Sequence, residues 1–288
     1  MRLVLLTVLV MTLFAANSLL NRLALMDGAI GAGEFAAIRL VAGAITLLVI
    51  VLIRDRSAAP AWHMANPVAV AGLTLYMLGF SYAYLTLDAG LGALILFGGV
   101  QVVMFAGGAL LGQGLAARRI AGGAVAFAGL AWLVSPAGVA PPLAGAGLMT
   151  AAALGWGIYS LMGARSRDPL AATAGNFALA VPPALFAVLL LPGEVPLTGA
   201  GVALAVLSGA VTSGLGYALW YAVLPHLAAA TAGVAQLTVP VIAMAGGVLL
   251  LGEVLEARAV VAAFVVLGGV GVSVTGGRRP SGRPRADQ

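Results

Sequence analysis

Ten apolar stretches of about 20 residues each run the length of the chain, separated by short loops. A helix of about 20 apolar residues crosses a bilayer, and only helices and closed barrels satisfy their backbone groups there. The chain is 62% hydrophobic and 8% charged, whereas a soluble domain carries about 25% charged residues. We therefore predict an all-α integral membrane protein with ten transmembrane helices. The predicted segments are 3–24, 33–53, 67–86, 91–112, 117–135, 144–163, 170–191, 199–221, 228–250 and 257–276.

Two parts of the chain repeat each other. Residues 106–118 read AGGALLGQGLAAR and residues 245–258 read AGGVLLLGEVLEAR, which align after one inserted leucine. Upstream, YLTL starting at Tyr84 matches YAVL starting at Tyr221. The repeat predicts two halves, 1–138 and 143–276, joined by a proline-rich linker and followed by a disordered basic tail, 277–288. Each half holds five segments, an odd number, so the second half enters the membrane from the opposite side. Inverted repeats of this kind are typical of secondary transporters.

The arginines orient the chain. All basic residues are arginine, and cytoplasmic loops of membrane proteins are enriched in basic residues. If the N-terminus is cytoplasmic, Arg22 and Arg258 fall outside, Arg39 falls within a segment, and the other eleven fall inside. Those eleven are Arg2, Arg54, Arg56, Arg118, Arg119, Arg165, Arg167, Arg278, Arg279, Arg283 and Arg285. This bias predicts that both termini are cytoplasmic in a multi-pass protein of a bacterial inner membrane, with no role in binding nucleic acid.

The pattern resembles the drug/metabolite transporter superfamily, in its EamA-type ten-helix branch, over residues 1–276. The features that carry the resemblance are Trp156-Gly157, Arg39-Leu40, and Pro240 followed by Leu251-Gly252-Glu253. The first half departs from the last pattern, with Gln101 at the proline position and Gln113 at the glutamate position. The resemblance implies export or exchange of small metabolites through a cavity between the halves, and is closest to bacterial aromatic amino-acid exporters.

Polar and aromatic side chains near the middle of the segments are the candidates for a substrate site. Amides and hydroxyls at that depth usually face the interior of a helix bundle, although many only hydrogen-bond neighbouring helices. The predicted substrate-binding residues are Asn17, Tyr76, Gln101, Trp156 and Tyr159. Five further aromatic residues lie toward segment ends, where belts at the membrane interface are expected: Tyr82, Tyr84, Tyr217, Trp220 and Tyr221.

Arg39 is the only charge well inside a segment, and Glu34 and Arg22 lie toward the same side of the membrane. We expect these three residues to form a structural ion pair or an outer gate. The helix-breaking or helix-bending positions are hinge candidates: Gly98, Gly99, Pro182, Pro183 and Pro240.

Several functions lack the residues that they need. There is no Walker motif for ATP, no HExxH or GxSxG motif, and no lysine at all. We expect no enzyme activity, cofactor, metal or ATPase subunit. The sequence favours a transporter of small neutral metabolites, including aromatic or hydrophobic amino acids, by alternating access. No Asp or Glu lies at mid-segment, which indicates transport without proton coupling. A multidrug exporter on the same fold, or a membrane enzyme or scaffold without transport, remain the alternatives.

Overall fold

In the computed structural model, residues 1–110, 117–135, 141–191, 195–227 and 229–275 are described, and their regular structure is entirely helical. The α-helices are α1 Arg2–Met26, α2 Ala32–Asp55, α3 Ala59–Met64, α4 Pro67–Ala83, α5 Ala89–Leu110, α6 Ala117–Val134, α7 Leu143–Gly163, α8 Pro169–Leu190, α9 Gly199–Leu207, α10 Gly216–Val223, α11 Ala229–Gln236, α12 Thr238–Leu251 and α13 Ala257–Thr275. A π-helix, Ser208–Leu215, joins α9 to α10, and a short 3₁₀ turn, Leu224–His226, follows α10.

These helices confirm the predicted membrane segments within a few residues. Seven helical stretches are long and apolar enough to span a bilayer, and three shorter apolar helices, Pro67–Ala83, Ile120–Val134 and Ala257–Ser273, occupy the remaining predicted positions. The chain is therefore an α-helical multi-pass membrane protein. The short helix α3, between the second and third segments, was not predicted. Residues 136–140 of the linker and the basic tail 277–288 lie outside the described residues, so their roles stay predictions.

Polar contacts between helices and loops define two ends of the helix bundle. At one end the Arg54 guanidinium pairs with Asp168, and the Asn66 N–H donates to Asn176 Oδ1 at 2.9 Å. At the other, Arg22 lies within ion-pair distance of Asp88 and Glu253. We call these the Asp168 end and the Glu253 end. The chain alternates between them from one long helix to the next.

The packing brings together helices from both predicted halves. α2 packs on α8, α5 on α12, and α6 on α13, and each of these pairs joins equivalent segments of the two halves. α4 packs on α7, and α1 packs on the π-helix and its flanking helices. This pattern is what a two-fold axis in the membrane plane would produce. The boundaries and inversion of the two halves nevertheless stay predictions.

Glycines allow the closest of these helix approaches. A Cβ at Gly72 of α4 would lie 2.8 Å from the Gly155 carbonyl oxygen of α7, and one at Gly122 of α6 would lie 2.5 Å from the Gly269 carbonyl oxygen of α13. Lipid supplies no hydrophobic drive for helices to associate, so small residues that permit close backbone contact favour these interfaces.

The hinge candidates differ in what the structure does with them. α5 continues through Gly98 and Gly99, and α8 continues through Pro182 and Pro183. The ninth segment is interrupted at Leu237, and Pro240 lies in the first turn of α12 directly after that interruption. The eighth segment carries an irregularity that was not predicted, the π-helix Ser208–Leu215. Such π-helical turns are rare and often occur at functional sites. Motion at the hinge candidates stays a prediction.

Candidate functional site

A cavity of about 580 Å³ lies within the helix bundle. Its walls come from α1, α4, α5, α7 and the eighth and ninth segments. The lining reaches Gly163, Ala164 and Pro169 at the Asp168 end. None of Arg22, Asp88 and Glu253 belongs to it. The cavity therefore extends from the middle of the bundle toward the Asp168 end.

All five predicted substrate-binding residues line this one cavity. Asn17 comes from α1, Tyr76 from α4, Gln101 from α5, and Trp156 and Tyr159 from α7. The structure thus brings together residues that are far apart in sequence. Their role in binding a substrate stays a prediction.

An aromatic wall, defined here as Tyr76, Phe80, Trp156, Tyr159 and Tyr217, forms one side of the cavity. The Trp156 indole is central to it, with ring centroids 4.8 Å from Tyr76, 5.2 Å from Tyr159 and 5.1 Å from Tyr217. Phe80 continues the wall at 5.3 Å from Tyr76. Tilted and stacked aromatic pairs at these distances are favourable beyond their buried area, so the rings hold each other in place. The wall offers flat apolar surface to a solute.

Asn17 of α1 is hydrogen-bonded directly to the π-helix at the wall of the cavity. Asn17 Oδ1 accepts hydrogen bonds from Ser208 Oγ at 2.6 Å and Thr212 Oγ1 at 3.1 Å. The widened turn of the π-helix carries both hydroxyls, and its Thr212 lines the cavity. Since the amide oxygen of Asn17 is used by the protein, its amide NH₂ group is the part left for another partner.

Gln101 differs from Asn17 because its side chain makes no hydrogen bond to any residue that the structure describes. The residue is 6% exposed and lines the cavity. A primary amide offers two N–H donors and one acceptor oxygen. Gln101 is therefore equipped to bind the polar part of a solute.

Tyr159 is held by a hydroxyl chain on the Asp168 side of the aromatic wall. Its OH donates to Thr173 Oγ1 at 2.8 Å, and the Thr173 hydroxyl donates to the Tyr221 OH at 3.3 Å. Thr173 belongs to α8 and Tyr221 to α10, so the chain ties three segments together.

Arg39 is wholly buried behind the aromatic wall. Its Nε donates to Ser213 Oγ at 3.0 Å, and its Nη2 donates to the Tyr76 OH at 2.9 Å. The guanidinium carbon also lies 5.3 Å from the Tyr76 ring centroid and 5.0 Å from that of Phe80, within cation–π distance. Arg39 thus contacts two residues that line the cavity without belonging to the lining itself.

The expected grouping of Arg39 with Glu34 and Arg22 is corrected by the structure. No ion pair of the described residues joins Arg39 to Glu34. The two residues are five apart on one helix, so their side chains point to different sides of it. The Glu34 carboxylate instead folds back over Gly31, at the start of α2, where a helix N-terminus favours negative charge.

Arg22 belongs to an ion cluster at the Glu253 end. Its Nη1 donates to the Tyr84 carbonyl at 2.9 Å, its Nη2 lies 3.5 Å from Asp88 Oδ1, and its Nε lies 3.6 Å from Glu253 Oε1. The Ala89 N–H also donates to Glu253 Oε1 at 2.8 Å. We call Arg22, Asp88 and Glu253 the latch, because they tie α1 to the loops before α5 and after α12.

A backbone turn places Glu253 in the latch. α12 ends at Leu251, and Gly252 adopts a left-handed φ of 68°, which glycine adopts without strain. The Glu253 N–H then bonds back to the Gly247 carbonyl at 3.0 Å. Burial raises the pKa of the Glu253 carboxyl, although the Ala89 N–H and the Arg22 guanidinium act in the opposite direction.

A second ion pair joins α2 to the start of α8 at the Asp168 end. Burial alone would raise the pKa of Asp168, but hydrogen bonds from the Arg54 guanidinium and the Ala171 N–H hold it below its ordinary value. Its carboxylate accepts from Arg54 Nη1 at 3.1 Å and caps α8. Because the folded pKa is depressed, the pair adds stability at neutral pH that is lost only as pH falls through that pKa.

The prediction of aromatic belts is wrong for four of the five residues. Tyr217, Trp220 and Tyr221 line the cavity, and Tyr84 is wholly buried with its OH bonded to the Ala89 carbonyl. Their position near segment ends suggested a membrane interface. The cavity reaches the Asp168 end, however, so residues in the last turns of the eighth segment face it. The hydroxyl residues of the π-helix were missed altogether, since a serine or threonine in an apolar segment gives little signal.

Residues 143–275 match the EamA-like transporter family. An uncharacterized protein of Pseudomonas aeruginosa, PA1977, is 49% identical over 272 residues, which is 93% of each chain. The crystal structure of another protein shares the fold at a TM-score of 0.67, with 18% identity, covering 94% of this chain and 97% of that one.

Proposed function

Since the chain belongs to the EamA-like transporter family, we propose that it is a secondary transporter that exports or exchanges small neutral metabolites. Amino acids with aromatic or hydrophobic side chains are the substrates that the cavity suits best. The proposal extends to alternating access, in which the two halves expose the cavity to each side of the membrane in turn.

The observation that carries the proposal is the composition of the cavity. Its volume of about 580 Å³ falls in the range of small-molecule sites, about 300–1,000 Å³. The aromatic wall supports recognition of a flat apolar side chain, and the free Gln101 amide supports recognition of a polar backbone. An apolar surface with a few placed polar groups is typical of sites that bind small amphipathic solutes.

The arginine bias supports an orientation of the cavity in the membrane. If most arginines face the cytoplasm of a bacterial cell, the Asp168 end is the cytoplasmic end of an inner-membrane protein. The cavity extends toward that end, and the latch lies at the other. A solute accumulated in the cytoplasm would then enter the cavity directly and leave after the latch has opened.

We further propose that transport is not coupled to protons. A coupled carrier needs a titratable group that loads and unloads within the membrane. The carboxylates of the described residues lie at helix ends or in loops, with Glu34 in the first turn of α2. A zwitterionic amino acid carries no net charge, so the membrane potential does no net work on it. Its own concentration gradient would then drive the flux.

Counterflow into sealed proteoliposomes tests both statements. Vesicles loaded with unlabelled phenylalanine should accumulate labelled phenylalanine transiently without any ion gradient. An imposed pH gradient should leave the maximal accumulation unchanged. A panel of labelled amino acids would then rank the substrates. If the maximal accumulation rises with the pH gradient, and no longer does so in Glu34→Gln, the uncoupled mechanism is overturned. No counterflow with any amino acid would overturn the choice of substrate.

A multidrug exporter on the same fold is the second candidate. Its lipophilic substrates are commonly cationic, and a cation site would be favoured by a carboxylate next to the cavity. No carboxylate belongs to the cavity lining of the described residues, and the nearest full charge behind the aromatic wall is the Arg39 guanidinium. These observations favour neutral or carboxylate-bearing solutes.

A further inference from the structure

Arg39 carries a positive charge that the described residues do not neutralise. The described ion pairs involve only Arg22 and Arg54, so no described carboxylate lies within 4.0 Å of Arg39. Nη1 of Arg39 is buried and makes no hydrogen bond to any described residue. A buried charge normally has an opposite partner, and an unpaired arginine at membrane depth is costly. The protein therefore keeps a charge whose compensation has to come from elsewhere.

Arg39 affects the cavity through its hydrogen bond to Tyr76, which it polarises. A guanidinium has only donors, so the Tyr76 oxygen must accept from Nη2 and the Tyr76 proton must turn toward another acceptor. A hydrogen bond received from a cation strengthens the hydroxyl as a donor, since hydrogen bonds in a chain polarise one another. Tyr76 also lines the cavity, next to Phe80, which lies under the same guanidinium.

The lining of the same cavity includes further groups that could donate hydrogen bonds to an anion. Gln101 has a free amide, and Asn17 keeps its NH₂ group because its oxygen is occupied by Ser208 and Thr212. All of these donors are uncharged, whereas the charged group that contacts Tyr76 among the described residues, the Arg39 guanidinium, is positive. This part of the cavity therefore has the features of a carboxylate site. Its donors are uncharged, and the Arg39 cation lies behind the Tyr76 side chain.

We infer that Arg39, acting through Tyr76, makes the cavity select solutes that carry a carboxylate. The inference rests on the proposed transport function and names its substrate class: amino acids and related aromatic carboxylic acids. The carboxylate lies against the Tyr76 hydroxyl, and the apolar side chain lies on the aromatic wall. A solute whose only charge is an ammonium group meets the same positive field and is disfavoured. Arg39 is a positioning residue here, and Tyr76 is the residue that touches the solute.

Competition among four analogues with the same ring tests the inference in the unaltered protein. Unlabelled phenylalanine, 3-phenylpropionate, phenylalaninol and phenethylamine are compared as inhibitors of labelled phenylalanine counterflow. The two carboxylates should inhibit at concentrations at least tenfold lower than the two amines that lack a carboxylate. Equal inhibition by all four would overturn the carboxylate selection and leave transport standing. Absence of phenylalanine counterflow would overturn the proposed substrate and this inference with it.

Two variants separate selection from a structural role. Tyr76→Phe keeps the ring but removes the hydroxyl, and the carboxylate-to-amine preference should fall close to one. Arg39→Lys keeps a positive charge and should keep part of the preference. Tyr82→Phe is the matched control, since Tyr82 lies on the same helix outside the cavity lining and its loss of a hydroxyl should change nothing. If Tyr76→Phe lowers only the amount of folded protein and leaves the preference intact, the inference is wrong.

Discussion

Trp156→Ala is expected to raise the half-saturation concentration of aromatic substrates about 30-fold or more. The indole contacts three other rings of the aromatic wall, so its removal takes away solute contact and also frees Tyr76 and Tyr217 to move. Truncating a central aromatic anchor of a binding site costs about 2 kcal/mol or more, and each 1.4 kcal/mol is about tenfold in affinity. The measurement is the concentration dependence of phenylalanine counterflow in proteoliposomes.

A matched variant separates this effect from general damage. Trp62 lies in the short helix α3, is 51% exposed and does not line the cavity, so Trp62→Ala should leave the half-saturation concentration unchanged. Gln101→Ala should have a smaller effect of about 2- to 10-fold, the value of one hydrogen bond of about 0.5–1.5 kcal/mol. Equal kinetics for Trp156→Ala and Trp62→Ala would mean that the aromatic wall only packs the bundle.

Glu253→Gln is expected to open the cavity toward the Glu253 end about tenfold more often than in the unaltered protein. The carboxylate accepts from the Ala89 N–H and lies 3.6 Å from Arg22 Nε, with its side chain 8% exposed. Hydrogen bonds to charged groups contribute about 1.5–3 kcal/mol, and a change of 1.4 kcal/mol shifts an equilibrium about tenfold. Arg22→Gln should act in the same direction, because it removes the cation shared by both carboxylates.

Because the chain contains no cysteine, this prediction can be tested with a single introduced thiol. A single Ser18→Cys substitution places a thiol in the cavity lining, where an impermeant thiol reagent applied from either side of oriented vesicles reports access. Labelling from the Glu253 side should increase in the Glu253→Gln background. Glu256→Gln is the control, since Glu256 is exposed and lies outside the latch. Unchanged labelling from that side in both Arg22→Gln and Glu253→Gln would show that the latch does not hold the cavity closed.

The repeat explains why the latch residues have no counterpart in the other half. By the alignment of the halves, Asp88 corresponds to Pro225 and Glu253 to Gln113. Neither counterpart carries a carboxylate, so the ion pairs of the Glu253 end have no sequence equivalent at the Asp168 end. This asymmetry agrees with a cavity that extends toward the Asp168 end.

The sequence predicted correctly the features that depend only on depth in the membrane. Hydropathy placed the segments, and polar or aromatic residues at mid-depth, such as Asn17 and Trp156, proved to line one cavity. It did not predict which residues of a helix face the cavity, because that depends on the rotation of the helix about its axis. A helix that is apolar on every side gives no clear face, so Tyr217 was assigned to an interface rather than to the cavity. The partner of Arg39 was also misjudged, since its contacts, Ser213 and Tyr76, come from segments that nothing in the sequence pairs with α2.

Blocking the cavity with a bulky label tests most directly whether solute crosses the membrane through it. Ser160→Cys introduces a thiol beside Trp156 in the lining, and Ser57→Cys introduces one in an exposed loop at the same end. A bulky maleimide attached at position 160 should abolish phenylalanine counterflow, and phenylalanine should slow the attachment. The same reagent at position 57 should do neither. Full modification of Ser160→Cys with unchanged counterflow would contradict the account.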